Sequence, residues 1–110
     1  MSAIHREQAA GGWQGLSFVE QMANVGSEVE RTIRWRRKGK TDISMRAFER
    51  ALELLDLTIA DPRNRKRLRE LLRAREALAD HFFFDNYYRS TDDSWKRYFD
   101  CFLYAARGRS

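Results

Sequence analysis

The chain has 110 residues, of which 43% are apolar and 34% charged, and its net charge is +5. This length predicts one domain that can bury a core without disulfides or metal, and the single cysteine, Cys101, excludes an internal disulfide and favours a reducing compartment. No stretch approaches the ~18 apolar residues of a membrane span, and the first residues lack the basic-then-apolar layout of a signal peptide. We therefore expect a cytoplasmic protein without membrane contact, whose positive charge favours anionic partners.

Residues 1–16 are predicted to form a flexible N-terminal arm. Gly11, Gly12 and Gly15 disfavour a helix there, and the polar residues around them bury little surface. Trp13 is the exception, because a single tryptophan in a glycine-rich arm indicates that the arm docks through that ring.

The first predicted helix begins at Ser17, which with Glu20 has the spacing of a capping box. Apolar residues follow at steps of four and three, which is typical of an amphipathic helix. Gly26 lies within this helix and favours close approach of a neighbour, and Gly39 is suited to end it.

The second predicted helix covers residues 42–60. Its apolar side chains span about 200° of the helix surface, wider than the stripe of a helix with one neighbour. We therefore predict that this helix is central and touches more than one other helix.

The pair Asp61-Pro62 both ends this helix and begins a third, with Asp61 as the N-cap. The third helix is predicted to reach about residue 84. Its expected buried stripe consists of Leu68, Leu71, Leu72, Leu78, Ala79 and Phe82.

A fourth helix is predicted after a turn at residues 85–89, with Ser90 and Asp93 at capping spacing. Short connections favour antiparallel neighbours. The predicted fold is therefore all-α: a small up-and-down four-helix bundle over residues 17–110, following the flexible arm.

Two basic clusters are the main candidates for a binding site. The first lies at the end of the first helix and contains Arg31, Arg34, Arg36, Arg37, Lys38 and Lys40. The second lies at the start of the third helix, at the opposite end of the bundle, and contains Arg63, Arg65, Lys66, Arg67, Arg69 and Arg73.

The second cluster is the more informative, because cations are disfavoured at a helix N-terminus. Binding of an anion such as a nucleic-acid phosphate would explain why cations are concentrated there. The alternative is a solvated basic face that is balanced by carboxylates such as Asp56 and Asp61.

Arg75 stands near the centre of the expected apolar stripe. A buried arginine requires a partner, which predicts an internal ion pair with a carboxylate on a facing helix, or a side chain that extends its charged head to the solvent. The functional alternative is a guanidinium presented in a cleft or subunit interface.

Arg75 and His81 also form an Arg-x5-His pattern, which resembles the short motif of the HEPN ribonucleases, a family of compact all-helical proteins. The resemblance implies metal-independent RNA cleavage by Arg75 and His81 meeting across a dimer interface. On a straight helix the two side chains point about 120° apart, so convergence would require a kink or a dimer.

Residues 50–63 (RALELLDLTIADPR) and 75–88 (REALADHFFFDNYY) together resemble a group of short bacterial proteins of unassigned function. The resemblance implies a bacterial, all-helical protein and nothing about activity.

Other chemistry has little support in the sequence. Two His and one Cys, widely separated, do not form a zinc site, and we expect no metal or cofactor. Cys101 is expected to be a buried thiol.

The aromatic residues exceed what a small bundle hides, which predicts a homo-oligomer or a protein partner. The expected contact residues are Trp13, Phe83, Phe84, Tyr87 and Tyr88.

Three functions are therefore compatible with the sequence. The favoured one is a non-enzymatic basic bundle that binds RNA or DNA phosphates, as an accessory subunit of a larger complex. The alternatives are a HEPN-like ribonuclease of the toxin type and a protein-interaction or oligomerisation module.

Overall fold

The computed structural model describes residues 12–108, which form four α-helices and no strand. The helices are α1 (Phe18–Arg37), α2 (Thr41–Ala60), α3 (Leu68–Phe83) and α4 (Asp92–Gly108), with 3-10 turns at Trp13–Gly15 and Pro62–Arg67. The all-α four-helix prediction is confirmed. Of the predicted arm, residues 1–11 lie outside the described residues. No helix within residues 12–108 is long and apolar enough to cross a membrane.

Contacts between consecutive helices establish the up-and-down order. Ser44 near the start of α2 donates a 2.8 Å hydrogen bond to the carbonyl of Thr32 near the end of α1. His81 near the end of α3 lies 2.9 Å from Asp92 at the start of α4.

Between α2 and α3, Phe48 in the first half of α2 contacts Phe83 at the end of α3. Asp56 in the second half of α2 pairs with Arg75 in the middle of α3. Each helix therefore runs antiparallel to the next, and the two basic clusters lie at opposite ends of the bundle, as predicted.

The most extensive packing involves α1, which lies along both α2 and α4. Gly26 of α1 permits the second contact, because an added Cβ would stand 2.7 Å from the Cβ of Phe99. The prediction that α2 touches two neighbours is confirmed, since it packs on α1 and α3, but α1 is the central helix. The core contains Trp13, Met22, Val25, Val29, Ile33, Phe48, Ala51, Leu54, Leu55, Leu71, Leu78, Trp95 and Phe99.

The ring of Trp13 is part of this core, with an exposed fraction of 1%. The backbone carbonyl of Trp13 accepts a 3.1 Å hydrogen bond from the side-chain amide of Gln21, and the indole N–H donates to the hydroxyl of Thr58. The ring therefore docks on the chain's own bundle, and it is not a surface residue that a partner could contact.

The helix ends combine confirmed and corrected predictions. Ser17 and Glu20 form the predicted capping box, with bonds of 3.1 and 2.9 Å. At α4 the reciprocal bonds instead join Thr91 and Ser94, each at 3.0 Å, so Ser90 and Asp93 are not the cap. Ser90 is engaged by Asn86 of the preceding turn.

The buried face of α3 differs from the prediction. Leu71 and Leu78 are fully buried as expected, but Leu68 and Leu72 are 39% and 49% exposed. Ala74 is buried in their place. The buried side of α3 therefore runs through Leu71, Ala74 and Leu78, and Ala74 lines a groove that it shares with Trp95 of α4. Cys101, predicted to be buried, is exposed.

Candidate nucleic-acid interface

The basic segment after Asp61 begins as a 3-10 helix and becomes α-helical only at Leu68. In a 3-10 helix residues i and i+3 lie on the same side. Asn64 and Arg67 share the side that faces the bundle, where Asn64 is buried and bonds the Thr58 carbonyl at 2.9 Å. The basic residues on the other two sides, Arg63, Arg65 and Lys66, are exposed.

The first turn of this segment already contains an anion of the protein's own. The carboxylate of Asp61 is 3% exposed and accepts a 3.0 Å hydrogen bond from the backbone N–H of Arg63, as an N-cap does. Gln21 donates a second bond at 2.9 Å. The predicted helix start at Asp61 is confirmed, but the backbone N–H group there is already bonded to Asp61 and is not open to a phosphate. Only the basic side chains of the segment are therefore candidates for binding an anion.

Arg63 belongs to the internal structure. Its guanidinium lies 2.7 Å from Asp61 Oδ2 and donates a 2.8 Å hydrogen bond to the carbonyl of Leu16. These bonds from Arg63, opposed by burial and assisted by Gln21, hold the pKa of Asp61 well below its usual range. Arg63 therefore ties the residues before α1 to the end of α2, and it is a poor candidate for ligand contact.

Two further cations of the segment are engaged within the chain. The guanidinium of Arg67 lies over the ring of Phe18, 4.3 Å from its centroid. Arg75 pairs with Asp56 on α2 at 2.6 Å, as the ion-pair prediction required. The Arg75 side chain is 37% exposed, however, so the expectation of a buried arginine is wrong. Both partners of this ion pair are partly exposed, so the pair lies at the edge of the α2–α3 contact.

The remaining cations form an exposed surface that no carboxylate of the described chain neutralises. All are exposed, and none makes an ion pair with a residue in 12–108. The one acid within the cluster, Glu70, lies 3.3 Å from the hydroxyl of Tyr98. We call this set the α3 basic surface; its members are Arg65, Lys66, Arg69 and Arg73.

The cluster at the end of α1 is more fully compensated. Asp92 lies 2.6 Å from Arg36 and 3.4 Å from Arg37. Burial raises the pKa of Asp92, but the hydrogen bond from His81 and the two arginines outweigh it, so the net shift is downward.

Of the other members of that cluster, Arg31 pairs with Glu28 at 3.2 Å and Lys38 lies over the ring of Trp35. Arg34 and Lys40 are exposed and make no ion pair within residues 12–108. The partners of Arg31 and Lys38 are three residues away in the sequence, whereas the pairing of Arg36 and Arg37 depends on α4 and could not be read from the sequence.

Arg75 and His81 are not brought together. Arg75 is held by Asp56 on the α2 side of α3, whereas His81 is held by Asp92 on the α4 side. The His81 side chain is only 8% exposed, and its Nδ1 is buried without a hydrogen-bond partner in the described structure. An imidazole in this position cannot reach a substrate without movement of α3 or α4.

The predicted contact aromatics, apart from Trp13, lie at the end of α3 and in the loop after it. Phe83 and Tyr88 are each 48% exposed, Phe84 73% and Tyr87 85%. Phe83 also packs against Phe48 of α2, with 5.2 Å between the ring centroids and an angle of 53° between the ring planes. Within residues 12–108 no group of three or more His, Cys, Asp or Glu side chains could hold a metal ion.

Comparisons with known proteins add no relative: no family model, curated protein or solved structure matches this chain at a significant level. The resemblances drawn from short motifs therefore stay predictions.

Proposed function

We propose that this protein binds the phosphate backbone of nucleic acid through the α3 basic surface, without catalysis, as an accessory subunit of a larger complex. The observation that carries the proposal is the local excess of positive charge. Arg65, Lys66, Arg69 and Arg73 are exposed within a short span, and none has a carboxylate partner among the described residues. Closely spaced cations repel one another, and a phosphate chain relieves that repulsion while releasing its counterions.

The alternative of a solvated, balanced basic face applies to only part of the segment. Asp61 and Asp56 do balance cations, but those are Arg63 and Arg75. Neither carboxylate reaches the four members of the α3 basic surface. The proposal assigns no cleavage to the protein, because Arg75 and His81 are each held by a different carboxylate.

The test is the salt dependence of binding to fluorescently labelled single-stranded and duplex RNA and DNA, measured by anisotropy. The variant carries Arg65→Gln, Lys66→Gln and Arg69→Gln, which avoids the structural Arg63 and Arg67. We expect weaker binding, and a slope of log affinity against log salt that is reduced by up to about 3, since each lost phosphate contact removes about 0.9 on a duplex.

A matched variant removes three exposed cations from the other end of the bundle: Arg34→Gln, Lys40→Gln and Arg46→Gln. It changes the net charge equally, so it measures how much of the effect is general attraction. An unchanged affinity in the first variant, or an equal loss in both variants, would overturn the assignment to the α3 basic surface.

A further inference from the structure

The exposed side of α3 carries a row of apolar side chains that the bundle leaves uncovered. Leu68, Leu72 and Phe83 are 39%, 49% and 48% exposed, and Ala79 is half-buried. At 100° per residue, these four positions fall within about 60° of the helix surface. The row consists of two pairs one turn long, Leu68 with Leu72 and Ala79 with Phe83, and Arg75 and Glu76 flank the gap between them. Single exposed leucines are ordinary, but two such pairs on one side of a helix mark a contact surface. We call these four apolar residues the apolar stripe.

The spacing of the apolar stripe reads the same in both directions. Its members are separated by four, seven and four positions. When a second copy of α3 is laid against the first in the opposite direction, Leu68 faces Phe83 and Leu72 faces Ala79. Leu68 then meets a large side chain and Leu72 a small one. Both copies use the same surface, as a two-fold symmetric interface requires.

The charges along α3 favour the same orientation. Arg69 and Arg73 lie in the first half of α3, and Arg65 and Lys66 lie just before it. The exposed acid Glu76, in contrast, stands at the middle of α3, and Asp85 lies two residues after its end. A parallel pair would place two basic surfaces side by side, which costs electrostatic energy. In an antiparallel pair the register that sets Leu68 against Phe83 brings Asp85 of each copy to the Lys66 end of the other, and it also opposes the two helix dipoles.

We propose that two copies of this chain associate through the apolar stripe as an antiparallel, two-fold symmetric α3 pair. The exposed rings of Phe84 and Tyr87 extend the apolar surface beyond the end of α3, towards the start of the neighbouring α3. Arg69 and Arg73 lie about 70° and 110° from the middle of the stripe, so they stay accessible in the pair. The association does not depend on nucleic acid and is tested without it.

The first test is sedimentation velocity on the full-length protein at micromolar concentration, with circular dichroism to verify folding. We expect the wild type to sediment at twice the monomer mass of 13.1 kDa. Leu72→Glu should sediment as a folded monomer. The control is Tyr104→Glu, which places the same charge at an 81% exposed aromatic of α4 and should leave the dimer intact.

The second test determines the orientation by disulfide trapping in a Cys101→Ser background. Leu68→Cys and Phe83→Cys proteins should cross-link efficiently when mixed, and neither should cross-link with itself. Self-cross-linking of Leu68→Cys would indicate a parallel pair and overturn the proposal. So would a monomeric wild type, a larger assembly, or a Leu72→Glu protein that still dimerises.

Discussion

The indole N–H of Trp13 donates a 3.2 Å hydrogen bond to the hydroxyl of Thr58, which joins residues 45 positions apart. The Thr58 hydroxyl in turn donates to the carbonyl of Leu54 at 2.9 Å. The Trp13 ring is thus anchored to the last turns of α2 by a fully satisfied polar contact, in addition to its burial.

Trp13→Ala should destabilise the fold by about 3–5 kcal/mol, as expected when a buried tryptophan is removed. Trp13→Phe should cost less, because it keeps most of the apolar contact. Thr58→Val should cost about 1–3 kcal/mol, because it leaves the buried indole N–H of Trp13 without an acceptor. Urea unfolding followed by circular dichroism measures all three. A cost below about 1 kcal/mol for Trp13→Ala would show that the ring contributes little in solution.

The free energy of unfolding should decrease at acidic pH because of the carboxylate of Asp61. Folding lowers the pKa of Asp61 from its usual value of 3.8. The stabilisation that the ionised carboxylate contributes is therefore fully present above pH 3.8 and is lost as the pH falls below that value. Asp61→Asn should reduce the unfolding free energy by about 2 kcal/mol at neutral pH and flatten the decline below about pH 4.

The matched control for that experiment is Asp100→Asn, at an exposed position of α4 with no ion pair among the described residues. It should keep the acid dependence of the wild type. Asp92 also has a lowered pKa, so part of the decline should persist in Asp61→Asn. An unaltered decline in Asp61→Asn would contradict the role given to this carboxylate.

Gly26→Ala should destabilise the protein even though alanine is the better helix former. The new methyl group would stand 2.7 Å from Phe99 Cβ, so α1 and α4 would have to separate. We expect a net cost of about 1–3 kcal/mol. Gly15→Ala is the control, because nothing lies within 4 Å of its added Cβ and the change should be neutral or slightly stabilising. Thermal unfolding of both variants distinguishes crowding from a general effect of replacing glycine.

His81→Ala should lower stability by about 1–3 kcal/mol without altering nucleic-acid affinity. The imidazole bonds Asp92 inside the bundle and lies far along α3 from the basic surface. Labelled RNA incubated with either protein should stay intact. Cleavage by the wild type that disappears in His81→Ala would instead establish the ribonuclease alternative.

Local sequence patterns determined the fold class, the number of helices and their antiparallel order. The Ser17–Glu20 capping box and the Asp61-Pro62 boundary depend on residues a few positions apart, so they are readable before folding. The placement of the basic clusters at opposite ends followed from short connections alone. Gly26 was likewise recognisable as a close-approach position.

Only the tertiary structure decided which side of α3 is buried and which cations are compensated. Residues far along the chain bury Leu71 and Leu78 and leave Leu68 and Leu72 exposed, which the apolar pattern of α3 alone does not distinguish. The pairs Arg75–Asp56 and Arg36–Asp92 join distant segments, and no local pattern distinguishes their arginines from the exposed ones. Charge content is a local property of the sequence, whereas charge compensation depends on packing geometry, which long-range contacts set.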